Sequence, residues 1–236
     1  ARRQTYGQGA DLSLLNESVG NEVLAFHQKF PDYRVTPLRK LEFLSQRLGL
    51  GSIHIKDEAQ RFGLNAFKGL GGSYAMGKYL AALLERDINT LSFAELNSPV
   101  IKARIKDIVF VTATDGNHGR GVAWAAEQLG LRAVVYMPKG SSPVRAQNIR
   151  RHGAECTITE LNYDDTVRLA AKTAREQGWV LLQDTAWQGY EQIPTWIMQG
   201  YMTLAVEIWQ QLAESGAPMP THLFLQAGVG SFAGSI

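Results

Sequence analysis

The strongest constraint on the fold is an alternation of short β-branched segments with amphipathic helical segments in the middle of the chain. A buried strand is predicted at residues 108–113 (IVFVTA), followed by a glycine-containing turn and a helix that ends at Gly130. The cycle then recurs, with strands in AVVYMP, ECTITE and WVLLQD and helices in VRAQNIRRHG and DDTVRLAAKTAREQG. Because this alternation is typical of a parallel sheet covered by helices, an α/β protein is predicted.

The flanking segments carry weaker signals. SIHIKDE alternates like a strand, and apolar residues recur at helical spacing from Tyr74 through Leu84. Residues 87–106 give mixed signals and are interpreted as a connection between domains. A long helix (PTWIMQGYMTLAVEIWQQLAE), a strand (THLFLQ) and a glycine-rich turn (AGVGSFAG) follow the central block. Two domains are therefore predicted, one formed by residues 1–87 with 187–236 and the other by residues 88–186.

The charge balance argues against a polyanionic partner. Lys and Arg total 24 against 22 Asp and Glu, and a net charge of +2 provides no broad positive field for nucleic acid or an anionic membrane. The chain begins without the apolar core of a signal peptide, and no stretch approaches the roughly 20 apolar residues of a membrane span. The single cysteine, Cys156, has no partner for an internal disulfide and no neighbours at zinc-ligand spacing. These features predict a cytoplasmic protein without a bound metal.

One candidate catalytic group is Lys68 in NAFKGLGGSYA, at a glycine-rich entry into a helix. The dipole at a helix N-terminus favours anions, so it disfavours the ammonium and makes the free amine more available for a covalent bond to a carbonyl group. The glycines that follow Lys68 let a planar ligand approach the backbone closely. From this segment alone, a solvated loop lysine is the simpler interpretation, since lysines are common on surfaces.

Three further segments place polar groups at the carboxyl ends of strands, where open parallel sheets bind ligands. The turn in VTATDGNHGRGVAW offers the Asp115 carboxylate and the Asn117 amide, although either could merely cap the following helix. Asp184 ends WVLLQD, where an Asp turn explains it equally well. The turn QAGVGSFAG could wrap backbone N–H groups around a phosphate. It matches neither the P-loop nor the dinucleotide pattern, which argues against a nucleotide-binding enzyme.

The segments VTPLRKL, KDE, NAFKG, DGNHG and GVGSFAG, taken in this order, resemble the fold-type II pyridoxal-phosphate-dependent enzymes, which include threonine dehydratase, serine racemase and cysteine synthase. The resemblance covers nearly the whole chain. It implies two domains, each with an open twisted, mostly parallel sheet flanked by helices, pyridoxal 5'-phosphate as cofactor, a small amino acid as substrate and a homodimer. TDGNHGRGVAW and LNAFKGLGGSYA are most similar to members that eliminate ammonia from 2,3-diaminopropionate. Ala66 and Asp115 stand where the commoner dehydratases usually have serine.

The resemblance also implies roles for individual residues. The Cα protons of the D- and L-isomers leave from opposite faces of the cofactor, so a single base cannot serve both well. Lys68 would hold the cofactor and take the proton of the L-isomer, Asp115 would take that of the D-isomer, and Asp184 would lie near the second amino group. Asn117 would bond the phenolic oxygen of the cofactor. The phosphate would be held by the backbone of Gly228, Val229, Gly230 and Ser231.

Two other functions stay open at this point. A threonine or serine dehydratase or racemase of the same fold would act on hydroxy amino acids instead of diaminopropionate. A non-catalytic ligand-binding protein could keep the fold without the cofactor, although the retained Lys68 and the intact DGNHG turn argue against it. The resemblance places the residue that faces the pyridine nitrogen beyond Ile236, so an incomplete architecture is expected.

Overall fold

The computed structural model describes residues 13–236 as an alternation of helices and strands. The first twelve residues, on which most of the signal-peptide argument depends, lie outside the described residues. The strands are β1 (Leu38–Lys40), β2 (His54–Lys56), β3 (Val109–Ala113), β4 (Arg132–Met137), β5 (Glu155–Ile158) and β6 (Val180–Leu181). The α-helices are α1 (Glu17–Gln28), α2 (Glu42–Leu48), α3 (Lys68–Leu83), α4 (Phe93–Leu96), α5 (Pro99–Ile105), α6 (Asn117–Leu129), α7 (Pro143–Arg150), α8 (Tyr163–Gln177) and α9 (Gln192–Glu214).

A four-stranded parallel sheet forms the centre of the predicted βα block, in the order β5-β4-β3-β6. Every residue of β3 is buried, because helices cover both faces of the sheet. On one face Phe110 packs in the same apolar cluster as Val122 of α6, and on the other Val111 packs with Ala170 of α8. The predicted α/β class, with a parallel sheet flanked by helices, is confirmed.

Helix α3 is buried over most of its length, and it packs against both α6 and α9. The imidazole of His27 on α1 lies where α1 meets α3 and α9, and it is completely buried. Its Nδ1 is 2.7 Å from the Thr203 hydroxyl of α9, and its Nε2 is 3.0 Å from the Leu70 carbonyl oxygen of α3. Helix α3 is therefore held by polar contacts as well as by apolar packing.

One predicted strand is absent from the structure, and another forms but pairs differently from what the resemblance implies. THLFLQ forms no strand: within residues 13–236 no neighbouring backbone pairs with it, and Phe224 is 94% exposed. A β-branched, apolar pattern produces a strand only where a second strand supplies hydrogen bonds. SIHIKDE does form β2, but it pairs antiparallel with β1. The second, mostly parallel sheet that the resemblance implies is therefore not formed among the described residues.

The segment interpreted as a connection, residues 87–106, folds into a 3-10 turn and the short helices α4 and α5. The capping box of Ser92 and Glu95 and the Ser98 cap account for these helix starts. The parallel sheet lies wholly inside the predicted 88–186 domain, and the two-domain division itself stays a prediction. None of the helices described for residues 13–236 is long and apolar enough to cross a membrane.

Candidate active site

A cavity of about 460 Å³ opens where β3 and β6 end and α3 and α6 begin. Segments far apart in sequence meet there, as expected for ligand sites at the carboxyl edge of a parallel sheet. All of the residues that the sequence singled out for catalysis or cofactor binding line this cavity, namely Lys68, Asp115, Asn117, Asp184, Gly228, Val229, Gly230 and Ser231. The structure therefore brings the predicted site residues together.

Lys68 and Asp184 form an ion pair in the wall of the cavity. The Nζ atom of Lys68 donates to Oδ2 of Asp184 at 2.8 Å, although 116 positions separate the two residues. The side chain of Lys68 is 20% exposed and that of Asp184 only 6%, so solvent reaches the amine more readily than the carboxylate. Lys68 Nζ also lies 5.4 Å from the ring centroid of Tyr201. The lysine identified from sequence is thus a cavity residue with a defined partner and not a solvated loop lysine.

The ionisation of Asp184 depends on its neighbours. Burial alone would raise the pKa of this carboxyl, but the charge and the hydrogen bond of Lys68 outweigh burial and hold the pKa below its usual value. Burial lowers the pKa of His118, so its imidazole is neutral at neutral pH. His118 Nε2 lies 2.8 Å from the Leu182 carbonyl oxygen, which can only accept, so we assign the proton to Nε2. The bare Nδ1 then faces Asp184 Oδ2 at 3.7 Å, and Lys68 is the cation that stabilises the carboxylate.

Asp115 and Asn117 lie on the other wall, in the turn between β3 and α6. Gly116 has φ 164° and precedes the helix as its N-cap, and the turn is fastened by Thr114, whose hydroxyl accepts from the Gly116 and Gly119 amides. No side-chain cap is formed at the start of α6, so Asp115 and Asn117 are not helix caps. Both side chains are exposed to the cavity and can act on a ligand there.

The glycine-rich turn at residues 228–231 closes a third side of the cavity. Within residues 13–236, the amides of Gly228, Val229 and Gly230 donate no hydrogen bond to another protein group. Ser231 is buried, and its hydroxyl donates to the backbone oxygen of Asp184 at 3.2 Å, which ties the turn to the strand end. Gly230 has φ +93°, a conformation that side chains rarely adopt. Backbone amides without a protein acceptor beside a cavity are suited to an anion such as a phosphate.

The start of α3 is fixed by a close approach of α6. A Cβ atom on Gly121 would lie 2.8 Å from the Lys68 carbonyl oxygen and from the Gly69 amide nitrogen, so glycine alone fits there. This contact positions the backbone of Lys68 directly. Helix packing therefore requires glycine at position 121, which the sequence HGRGVAW alone does not show.

Sequence reasoning missed several residues that line the cavity. Arg145 comes from α7 and Tyr163 from the start of α8, and the aromatic rings of Phe67 and Phe232 pack at 4.5 Å between centroids. Burial raises the pKa of Tyr163 to about 12, so its phenol is protonated at neutral pH. His118 also lines the cavity and is buried there. No local pattern distinguishes these side chains, because folding alone brings them to the cavity.

The family model described as pyridoxal-phosphate dependent enzyme matches residues 29–236. The chain therefore belongs to this family, and it has the α/β fold of the fold-type II members. The cavity fits the cofactor of that family. It offers a lysine amine at one wall, free backbone amides for a phosphate at another, and the aromatic rings of Phe67 and Tyr201 beside the lysine.

Among individual proteins, the chain is similar to ammonia-lyases. It is 77% identical over 235 residues to diaminopropionate ammonia-lyase of Salmonella typhimurium, covering 100% of this chain and 58% of that protein. It is 52% identical over 228 residues to the enzyme of the same name from Escherichia coli, covering 97% of this chain and 56% of that protein. The chain thus spans somewhat more than half the length of these relatives.

The fold agrees with solved structures. The apo crystal structure of the Escherichia coli diaminopropionate ammonia-lyase matches with a TM-score of 0.90 at 53% identity, covering 94% of this chain and 60% of that one. That enzyme has also been solved in complex with D-serine and with an aminoacrylate-PLP azomethine reaction intermediate. An L-threonine dehydratase of Haemophilus influenzae is more distant, at 31% identity over 207 residues, covering 86% of this chain and 33% of that protein.

Proposed function

We propose that this protein is a pyridoxal-phosphate-dependent lyase that eliminates ammonia from D- and L-2,3-diaminopropionate, giving pyruvate and two molecules of ammonia. The observation that supports it most is the placement of two carboxylates, Asp115 and Asp184, in one cavity with Lys68. Diaminopropionate differs from ordinary amino acids by a second ammonium group, and carboxylates favour ammonium groups. The likeness to two ammonia-lyases named for this substrate supports the same assignment.

In this proposal Lys68 holds the cofactor through its amine and then serves as a base. The bound cofactor supplies an electron sink for the carbanion at Cα. Once its amine is free, Lys68 would take the Cα proton of the L-isomer through Nζ. Asp115, on the wall formed by the β3–α6 turn, takes the Cα proton of the D-isomer through its carboxylate.

Asp184 prepares the leaving group. Its carboxylate is paired with Lys68 Nζ at 2.8 Å, so it becomes available to another cation when that amine is committed to the cofactor. The second amino group of the substrate then stays protonated beside Asp184, so it takes the electron pair of the breaking Cβ–N bond and leaves as neutral ammonia. The enamine that remains hydrolyses in water to pyruvate and ammonia. Asn117 would bond the phenolic oxygen of the cofactor. The backbone amides of residues 228–231 would bond its phosphate.

The alternatives are less well supported. Threonine and serine dehydratases share the fold, but the threonine dehydratase comparison reaches only 31% identity, against 77% and 52% for the two ammonia-lyases. A non-catalytic protein would have no reason to keep the Lys68–Asp184 pair and the free amides together at one cavity. We further propose that the protein acts in the cytoplasm, as its single cysteine predicts, and as a homodimer, as the resemblance implies.

The proposal is tested on the full-length, cofactor-loaded enzyme by absorbance spectroscopy and by pyruvate detection with each isomer of 2,3-diaminopropionate. We expect a visible cofactor band, pyruvate release from both isomers, and loss of band and activity in Lys68→Ala. Lys106→Ala, an exposed lysine outside the cavity, should keep both. A visible band with turnover of threonine or serine, and none of diaminopropionate, would refute the substrate assignment. The absence of any band would refute the cofactor assignment.

A further inference from the structure

The segment that carries Asp184 extends past the backbone pairing of the parallel sheet. Strand β6 ends at Leu181, and among residues 13–236 only β3 pairs with it. One further backbone bond, from the Leu182 amide to the Val111 oxygen at 2.8 Å, continues the pairing on the β3 side. Asp184 lies beyond this bond, so the position of its backbone depends on contacts from side chains.

The hydroxyl of Tyr190 bonds to the free edge of β6 as a neighbouring strand would. It donates to the Leu181 carbonyl oxygen at 2.8 Å and accepts from the Gln183 amide at 2.9 Å. One phenol thus satisfies two backbone groups of an unpaired edge. On the opposite side, Oε1 of Gln183 accepts from the Ala113 amide at 3.1 Å. The chain is therefore held from both sides at the residue directly before Asp184.

A tight turn brings Tyr190 back to the strand that it follows. The Tyr190 amide donates to the Trp187 oxygen at 2.8 Å, and Gly189 between them has φ +84°. The indole ring of Trp187 stacks on the phenol ring of Tyr190, with centroids 4.4 Å apart and an angle of 21° between the planes. The phenol ring is therefore held independently of the bonds that its hydroxyl makes.

We propose that Tyr190 is a positioning residue that keeps the Asp184 carboxylate where it binds the second amino group of the substrate. Tyr190 does not line the cavity, so its hydroxyl acts on a ligand only through the backbone of Leu181 and Gln183. This inference rests on the proposed function for the group that Asp184 binds. Without the hydroxyl, Asp184 is free to move away from that group, while Lys68 and the β3–α6 turn stay in place.

Tyr190→Phe in the full-length holoenzyme tests this role, because it removes the hydroxyl and keeps the stacked ring. KM for D-2,3-diaminopropionate would be compared with the dissociation constant of D-serine, measured from the visible absorbance of the cofactor. D-serine has a hydroxyl in place of the second ammonium group, so its binding depends less on a carboxylate. We expect KM to rise about tenfold, as for the loss of one charge-assisted hydrogen bond, and the dissociation constant to change less than about twofold.

Tyr33→Phe is the matched control. The Tyr33 hydroxyl also donates at 2.8 Å, to Glu207, and this tyrosine does not line the cavity. The control should leave both constants within about twofold of the wild type. Equal losses for diaminopropionate and D-serine in Tyr190→Phe would show that Tyr190 supports the site as a whole and not Asp184 in particular, which would overturn the proposal.

Hydrogen exchange separates this proposal from the proposed function, because it requires no turnover. The Gln183 amide should exchange about tenfold faster in Tyr190→Phe than in the wild type, and at the wild-type rate in Tyr33→Phe. An unchanged rate in Tyr190→Phe would overturn the positioning role. If the wild type released no pyruvate from diaminopropionate, the proposed function would fail, and the exchange rates would still decide whether Tyr190 holds the strand end.

Discussion

At the scale of single residues, the site depends on the ion pair between Asp184 and Lys68. Asp184 is nearly buried, and an isolated carboxylate there would be costly to ionise. The Lys68 ammonium 2.8 Å away makes the ionised form the stable one, and the carboxyl pKa stays low. Asp184 is therefore a ready acceptor for an ammonium ligand over the neutral pH range.

Asp115 provides the sharpest residue-scale prediction. Replacing it as Asp115→Asn removes a base from one wall and leaves Lys68 in place, so turnover of the D-isomer should fall by about 10²-fold or more. Turnover of the L-isomer should change less than about fivefold under the same assignment of general bases. The measurement is kcat for pyruvate release from each isomer separately.

The matched control for that variant is Asp107→Asn, an exposed aspartate outside the cavity. It should leave both isomers unaffected. Equal losses with the two isomers in Asp115→Asn would show that Asp115 does not discriminate between the faces of the cofactor.

At the scale of elements, the site depends on the close contact between α3 and α6. Gly121→Ala would place a methyl group 2.8 Å from the Lys68 carbonyl oxygen, which is backbone and cannot turn aside. The helices should separate, with a loss of about 1–3 kcal/mol in the free energy of unfolding. The displaced Lys68 should also lower kcat with both isomers.

Denaturant titration and pyruvate release measure these two effects. Gly51→Ala is the control, because a Cβ atom there meets nothing within 4 Å. Normal stability and kcat in Gly121→Ala would show that α3 can shift without any loss of stability or activity.

His27, which is buried where α1, α3 and α9 meet, is expected to make the stability of the protein depend on pH. Burial, assisted by the charge of Arg61, lowers the pKa of His27 from 6.5 to about 3. Below pH 6.5 this histidine takes up a proton in the unfolded chain but stays neutral in the folded chain. The free energy of unfolding therefore falls as the pH falls from 6.5 towards 3. The contribution is about 1.4 kcal/mol per pH unit in this range.

His27→Gln tests this effect, because glutamine keeps a donor and an acceptor but does not titrate. The free energy of unfolding would be followed by denaturant titration from pH 7 to pH 5. The wild type should lose more stability than the variant over this interval, and parallel curves would show that His27 does not contribute.

At the scale of the whole molecule, a buried charge network joins the N-terminal segment to α9. Glu207 is fully buried, and its Oε2 lies 2.8 Å from Arg61 Nη2 and 2.6 Å from Lys56 Nζ. Burial alone would raise the pKa of Glu207, but Arg61 and Lys56 hold it below its usual value. Thr36 and Tyr33 also donate to this carboxylate, so it connects distant parts of the chain.

Removing the charge as Glu207→Gln should cost about 3–5 kcal/mol of unfolding free energy, since Lys56 loses its anion and the buried Arg61 keeps only Glu58. The matched control is Glu155→Gln, which breaks an exposed pair with Arg132 and should cost less than about 1 kcal/mol. Denaturant titration measures both. Equal effects in the two variants would show that the buried network adds no stability beyond a surface pair.

Much of this molecule could be predicted from sequence because the relevant signals are local. The strands β3, β4 and β5 and the helices between them follow from periodicity, from Pro143 and from glycines such as Gly130 at helix ends. Lys68 and the DGNHG turn were identified for the same reason, since their chemistry is apparent in a few adjacent residues.

Tertiary structure alone decided the rest, because a distant partner leaves no mark on a local pattern. THLFLQ has the composition of a strand but pairs with nothing among the described residues, and Arg145 resembles any helix-surface arginine until α7 packs beside the turn. The sequence by itself determined the βα order and the candidate groups. Folding decided which of them meet, as in the 2.8 Å contact of Lys68 with Asp184, because packing across the sheet edge sets distances between residues far apart in the chain.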